Sequence, residues 1–208
     1  MSKLTVAILF GGKSVEHAIS INSAKNIYQY LDPTKFDPIL IGITKEGEWF
    51  LKDQVDDIFV DQTPLALNLS SKNKGFKNLD TGEDLQPDVV FPALHGTDGE
   101  DGTIQGLLQA FDLPFVGTGV LGSSLAMSKL YSKHLLQKYN IPTSRFLSFT
   151  YQEKNSIDFN SLKNELGVPF MAKAANLGSS VGVTKVKSKE DLNHAIEEGF
   201  AFDHVMLF

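Results

Sequence analysis

The 208-residue sequence contains no cysteine, which excludes disulfides, thiolate metal ligands and cysteine nucleophiles and fits a reducing compartment such as the cytoplasm. It also lacks any run of about 18 apolar residues, the length a membrane-spanning helix requires. The opening MSKLTVAILFGG holds an apolar stretch too short for a span and has no small-residue cleavage pattern behind it, so it reads as a strand. Nor is charge of one sign concentrated anywhere. The 19 basic and 25 acidic residues give a net charge of -6 spread along the chain, which argues against a nucleic-acid surface or a membrane partner. Two nucleotide signatures are missing: no G-x-x-x-x-G-K-[ST] occurs, and no G-x-G-x-x-G follows the first strand. Any nucleotide must be held by another architecture.

What is present, 42% hydrophobic and 21% charged residues, suits one or two folded domains with a sizeable core. Residues 4–10 read as a strand ending at Gly11-Gly12, and apolar positions Ile21, Ala24, Tyr28 and Leu31 predict a helix stopped by Asp32-Pro33. Residues 38–44 predict a second strand, with 49–51 as a hairpin arm beyond a polar turn. Residues 52–86 lose periodicity and read as a surface excursion with short elements. Strands at 88–94 and 113–116 flank a helix carrying Ile104, Leu107, Leu108 and Phe111. This alternation implies an open parallel α/β sheet covered on both faces. A domain boundary is expected at 120–123, dividing the chain into 1–122 and 123–208. Beyond it the pattern predicts a helix from Ser124 to Lys138, strands at 145–150, 169–174 and 183–187, a helix at 159–166, and a further helix capped by Ser188 with Asp191 completing a capping box. Residues 202–208 read as a strand, and an apolar edge left open there predicts that the chain continues.

Three stretches carry chemistry. In the first, Gly178-Ser179-Ser180-Val181-Gly182, small residues let backbone N–H groups approach a phosphate, although glycine and serine also build plain hairpin turns. Lys173 lies on the incoming strand and Lys129 at the start of an earlier helix, so two ammonium groups can flank a polyphosphate; taken singly, each is an ordinary surface lysine. The second stretch, Gly11 to His17, sits where strand meets helix, the crevice position for ligands in an open α/β sheet. Glu16 there falls in the first helical turn, where a carboxylate also gains from the helix dipole, and His17 is expected to be solvated. In the third stretch, which follows His95, Asp98, Glu100 and Asp101 offer either metal ligands or an ordinary glycine-rich turn.

No one stretch identifies the protein, but GGKSVEHAIS, LHGTDGEDGTIQG, VGTGVLGSSLAMSKLYSK and AKAANLGSSVGVTKV occur in an order that resembles the D-alanine:D-alanine ligases of the ATP-grasp superfamily. The resemblance runs from the first strand to the last residue and covers that family's amino-terminal domain and its small α+β central domain, while the carboxy-terminal domain has no counterpart. It implies ATP-dependent joining of two D-alanines through an acyl phosphate for peptidoglycan synthesis, with ATP and Mg2+ (or Mn2+) required, and a homodimer formed through the amino-terminal domain. By the same resemblance, Glu16 holds the ammonium of the first D-alanine in a network with Ser179, and His95 lies near the reacting carboxylate. Lys129 and Lys173 bind nucleotide phosphates, and Ser180 belongs to the loop that closes over them. The metal ligands, the adenine hinge, the transition-state arginine and the lid that selects the second substrate are implied beyond residue 208, so the 208 residues alone are expected not to turn over. One departure is plain: Ala174-Ala175 stands where the family has proline after the lysine, an exchange expected to loosen the strand exit. Ligases joining D-alanine to D-lactate or D-serine, a truncated remnant, and, for the first 120 residues, a Rossmann enzyme are the alternatives.

Overall fold

A computed structural model describes residues 2–68, 72–178 and 182–208. The chain forms two compact units, Met1–Ser123 and Ser124–Phe208.

The first unit is built on a seven-stranded sheet in the order β6 (Asp84–Leu85), β5 (Gly75–Asn78), β4 (Thr63–Asn68), β3 (Trp49–Lys52), β2 (Phe36–Ile43), β1 (Leu4–Gly11), β7 (Val89–Pro92). Strands β1 (Leu4–Gly11), β2 (Phe36–Ile43) and β7 (Val89–Pro92) supply the parallel part, with Ile8 opposite both Leu40 and Phe91. Period-2 alternation in β1 sends Val6, Ile8 and Phe10 to one face and Ala7 and Leu9 to the other. On the first face they pack with Ile21 and Ala24 of helix α1 (His17–Tyr30), on the second with Ile104 and Leu108 of helix α2 (Thr103–Ala110). Both faces of the parallel part are therefore covered, which is why β1 reads as an uninterrupted apolar run.

The excursion after residue 52 is more regular than its composition suggests. Strands β3 (Trp49–Lys52), β4 (Thr63–Asn68), β5 (Gly75–Asn78) and β6 (Asp84–Leu85) add an antiparallel meander to the sheet edge. Trp49 stacks on Phe76 at 5.8 Å and extends the α2-side core across it. Residues 113–116 form a single parallel bridge, Val90 to Phe115, instead of the expected strand.

In the second unit, strands β8 (Ser148–Thr150), β9 (Phe170–Ala174), β10 (Val183–Val186) and β11 (Val205–Leu207) pair antiparallel in the order β10-β9-β11-β8. Helices α5 (Phe159–Leu166) and α6 (Lys189–Phe202) cover the sheet through Leu162, Leu192, Ala195 and Ile196. The Ser188–Asp191 capping box is formed in both directions. The helix expected over 124–138 is two, α3 (Val120–Met127) and α4 (Lys129–Lys138), divided at Ser128, whose backbone is extended.

At the carboxyl end of β1 the backbone turns through Gly11 and Gly12, both at positive φ (88° and 92°). A Cβ on Gly11 would lie 2.2 Å from the Ile43 carbonyl oxygen, a backbone atom that cannot yield. Gly11→Ala should lose about 2–4 kcal/mol of unfolding free energy, from left-handed strain plus overpacking, read from urea denaturation of the purified chain.

Candidate active site

In the first unit, three segments meet at the carboxyl ends of the parallel strands. The junction of β1 and α1 is fixed by Ser20, which accepts a hydrogen bond from Gly11 N (2.8 Å) and donates to the Ala93 carbonyl (2.6 Å). Glu16 precedes α1 at its cap position and is 7% exposed. A Cβ on Gly96 would lie 2.3 Å from Glu16 Oε2 and 2.6 Å from Ser14 Oγ, so the Glu16 carboxylate packs directly on the backbone next to His95. Glu16 and His95 are thus brought to one place by two separate turns.

The His95 ring is oriented from both sides. Nδ1 lies 3.1 Å from Glu100 Oε1, and since a carboxylate only accepts, Nδ1 is the donor; Nε2 lies 2.8 Å from Ser23 Oγ. Glu100 also accepts from Gly96 N at 2.9 Å, tying the ring to its own turn. Burial alone would raise the Asp101 carboxyl, but hydrogen bonds from the Asp98 and Thr103 amides outweigh it and hold the carboxyl below its usual range. That contribution to the turn is present above the ordinary aspartate value and is lost as pH falls through the lowered one. Glu100 and Asp101 thus bond amides of the turn, Asp98 pairs with Lys13, and among the described residues no group of three or more His, Cys, Asp or Glu side chains could hold a metal ion. A cavity of about 260 Å³ opens beside this turn, lined by Gly12, Lys13, Trp49, His95 and Leu107 among others, with a Lys13–Asp98 ion pair of 3.3 Å at its edge.

His17 departs from expectation. It is 2% exposed, not solvated, with Nδ1 2.6 Å from the Gly12 carbonyl and Nε2 2.8 Å from Asp57 Oδ1. A histidine opening a helix beside two glycines is pulled inward because glycine leaves room for the ring: Cε1 lies 3.0 Å from where a Gly11 Cβ would stand.

In the second unit, Lys129 and Lys173 come together. They line a cavity of about 730 Å³ with Lys133 and Arg145, whose apolar wall includes Phe146, Phe170, Leu207 and Phe208. Burial, and then repulsion from Lys173, push the Lys129 and Lys133 ammonium groups below the usual lysine value of 10.5, with Asp203 opposing the shift at Lys129. Lys133, which motif reading passed over, stands one helical turn after Lys129 and was legible from that spacing. It donates to Thr143 Oγ1 (2.9 Å) and Ser144 Oγ (2.8 Å). Lys129 Nζ donates to the Leu177 carbonyl. Ser179 and Ser180 lie outside the described residues.

The exchange of proline for alanine has a structural consequence opposite to loosening. Ala174 N donates to the Gly182 carbonyl at 3.0 Å, a bond proline cannot make, and Ala175 N donates to Val205 at 2.9 Å. The strand carrying Lys173 is fastened on both sides.

Residues 5–118 match the family model described as D-ala D-ala ligase N-terminus, and residues 135–208 the one described as D-ala D-ala ligase C-terminus. The chain belongs to the D-alanine–D-alanine ligase family. It is 42% identical to a D-alanine–D-alanine ligase of Shouchella clausii and 40% identical to ligase A of Escherichia coli K12, in each case over all of this chain and 60% of the relative. Among solved structures, the ligase from Coxiella burnetii superposes with a TM-score of 0.89 at 34% identity, over 99% of this chain and 63% of that one. A D-Ala:D-Ser ligase from Enterococcus faecalis gives 0.87 at 32%, over 99% and 62%. The chain spans about three fifths of the length of the family members it matches.

Two predictions follow the site geometry. Gly96→Ala forces a Cβ into the Glu16 carboxylate at a backbone φ of 70°, and should cost about 1–3 kcal/mol of unfolding free energy, read from urea denaturation of the purified chain. The lysine cluster titrates with a definite sign: because the folded state binds these protons less tightly than the unfolded chain does, it costs stability at neutral pH, and stability recovers as pH rises through the lowered values toward 10.5. A polyphosphate anion offsets the repulsion, so binding of tripolyphosphate at alkaline pH should be accompanied by proton uptake, seen as a dependence of binding enthalpy on the ionisation enthalpy of the buffer.

Proposed function

We infer that the whole protein joins two D-alanines to D-alanyl-D-alanine in the cytoplasm, with ATP consumed, for peptidoglycan precursor synthesis. Residues 1–122 act as the D-alanine-binding domain and 123–208 as the central ATP-grasp subdomain. The observation that carries the reading is the cavity lined by Lys129, Lys133, Arg145 and Lys173 together with Phe146, Phe170 and Phe208, in a chain about 40% identical to D-alanine–D-alanine ligases. Four cationic side chains, two of them disfavoured by burial and by the charge of Lys173, suit a triphosphate far better than solvent, and Phe146, Phe170 and Phe208 suit a base.

In this reading the γ-phosphoryl group of ATP passes to a carboxylate oxygen of the first D-alanine, releasing ADP. The amine of the second D-alanine then attacks the acyl carbon, a C–N bond forms, and phosphate leaves. Glu16 holds the first ammonium, with Ser179 assigned to the same network by the family pattern. His95 lies near the reacting carboxylate, its ring oriented by Glu100 and Ser23. Lys129 and Lys173 hold the phosphates, and Ser180 belongs to the loop that shields the acyl phosphate from water. Mg2+ or Mn2+ is the expected companion of ATP, but no ligand for it is assigned among these residues. Dimerisation through the first unit is part of the same proposal. The likeness to a D-Ala:D-Ser ligase keeps D-serine, and with it D-lactate, as an alternative second substrate.

The test is ADP release by the purified product of the uninterrupted reading frame. D-alanine should be required, dialanine should appear by mass spectrometry, and Glu16→Gln should lower kcat/KM by about a hundredfold. D-lactate and D-serine are the comparison substrates. A well-folded product with no D-alanine-dependent turnover would overturn the assignment in favour of a remnant.

A further inference from the structure

The loop between β3 and β4 carries no motif, yet buried groups fasten it. Val55 inserts into the core beside Ile21 and Ala24. Lys52, whose side chain is 2% exposed, pairs with Asp56 at 2.8 Å, donates to the Ile58 carbonyl and lies over the Phe59 ring. The third anchor is His17, which reaches Asp57 from the first residue of α1. Through its other nitrogen the same ring holds Gly12, in the turn that leads to Glu16.

The partners of the ring determine its protons. A backbone carbonyl has none to give, and neither has an ionised carboxylate, so Gly12 O at 2.6 Å and Asp57 Oδ1 at 2.8 Å are both acceptors. A neutral imidazole would turn a lone pair on one of them. We propose that His17 is a positioning residue for Glu16: a doubly protonated ring that clamps the Gly12 carbonyl to Asp57 and so fixes the turn presenting the Glu16 carboxylate. Asp57, as counter-ion, offsets the burial of the charge, and Asp56 is committed to Lys52. Glu16, the neighbour on the helix side, is directed to Gly96. This role rests on the reading of Glu16 as the group that holds the D-alanine ammonium.

The ring can be read without any turnover. In the 15N-labelled 208-residue chain, both His17 ring nitrogens should give the shifts of N–H donors. The Asp57 side chain is 56% exposed, so Asp57→Ala is expected to fold. Loss of a charge-assisted hydrogen bond should speed exchange of the His17 and Ser20 amides, which bond to Ser14 and Glu16, by about tenfold, and raise KM for the first D-alanine of the whole protein by a similar factor. In the same variant kcat and KM for ATP should stay within about twofold, which general loss of structure would not allow. Asp57→Asn keeps an oxygen acceptor without the counter-charge and should recover only part of the loss. A neutral ring in the unsubstituted chain, or an Asp57→Ala protein with unchanged exchange and KM, would overturn the role. Should the whole protein show no D-alanine-dependent turnover, the ligase reading fails, while the ring shifts and amide exchange still decide the positioning.

Discussion

Much of the first unit depends on one close approach, that of the turn after β1 to the end of β2. Gly12 N donates to the Ile43 carbonyl at 2.8 Å, and Gly11 passes so near the same oxygen that no side chain fits. From that contact the chain can enter α1 at once, carrying Glu16 to the backbone of the His95 turn and His17 beneath the glycines. A bulkier turn would need a longer path, and the carboxylate would leave the place where Gly96 receives it. The glycines are therefore a condition for the site's geometry as well as for the turn.

The second unit rests on the opposite kind of constraint, a surplus of one charge. Burial, and then the charge of Lys173, depresses Lys129 and Lys133, with Asp203 opposing at Lys129, and their hydrogen bonds run largely to uncharged oxygens at Leu177, Thr143 and Ser144. A fold selected for stability alone would have interspersed carboxylates. The cost is reasonable if an anion supplies the missing charge, because the repulsion that weakens the empty cavity then becomes attraction for the ligand.

How much was legible follows from where the signals lie. The parallel strands, both helices of the first unit and the Ser188 cap were readable because apolar period and capping chemistry are local. The meander over β4 to β6 was not, since its strands are short and their apolar residues are interrupted by Lys, Asn and Asp; cross-strand pairing and the Trp49–Phe76 contact, which are nonlocal, make them strands. The break at Ser128 was hidden for a related reason: helical period continues across it, and only the bond from Lys129 N to the Ala175 carbonyl, 46 residues away in sequence, accounts for the interruption. Glu16, His95, Lys129 and Lys173 were singled out by motif order alone, whereas Asp57 sits in a segment with no pattern and gains meaning only from the ring it meets.

The alanine after Lys173 shows why a departure from family wording needs the backbone to interpret it. Read as sequence, loss of proline means a more flexible chain, because proline restricts φ in the unfolded and folded states alike. In the structure the regained N–H bonds the Gly182 carbonyl, and the next amide bonds Val205, so the strand gains a hydrogen bond where it gives up a ring. A backbone hydrogen bond contributes about 0.5–1.5 kcal/mol net, comparable to the roughly 0.4–1 kcal/mol a compatible proline gives. The two solutions are close in free energy and differ in kind. Proline stiffens the strand on its own, whereas alanine ties Lys173 to the far end of the loop at Gly182, and the lysine's position then depends on that end of the loop being in place.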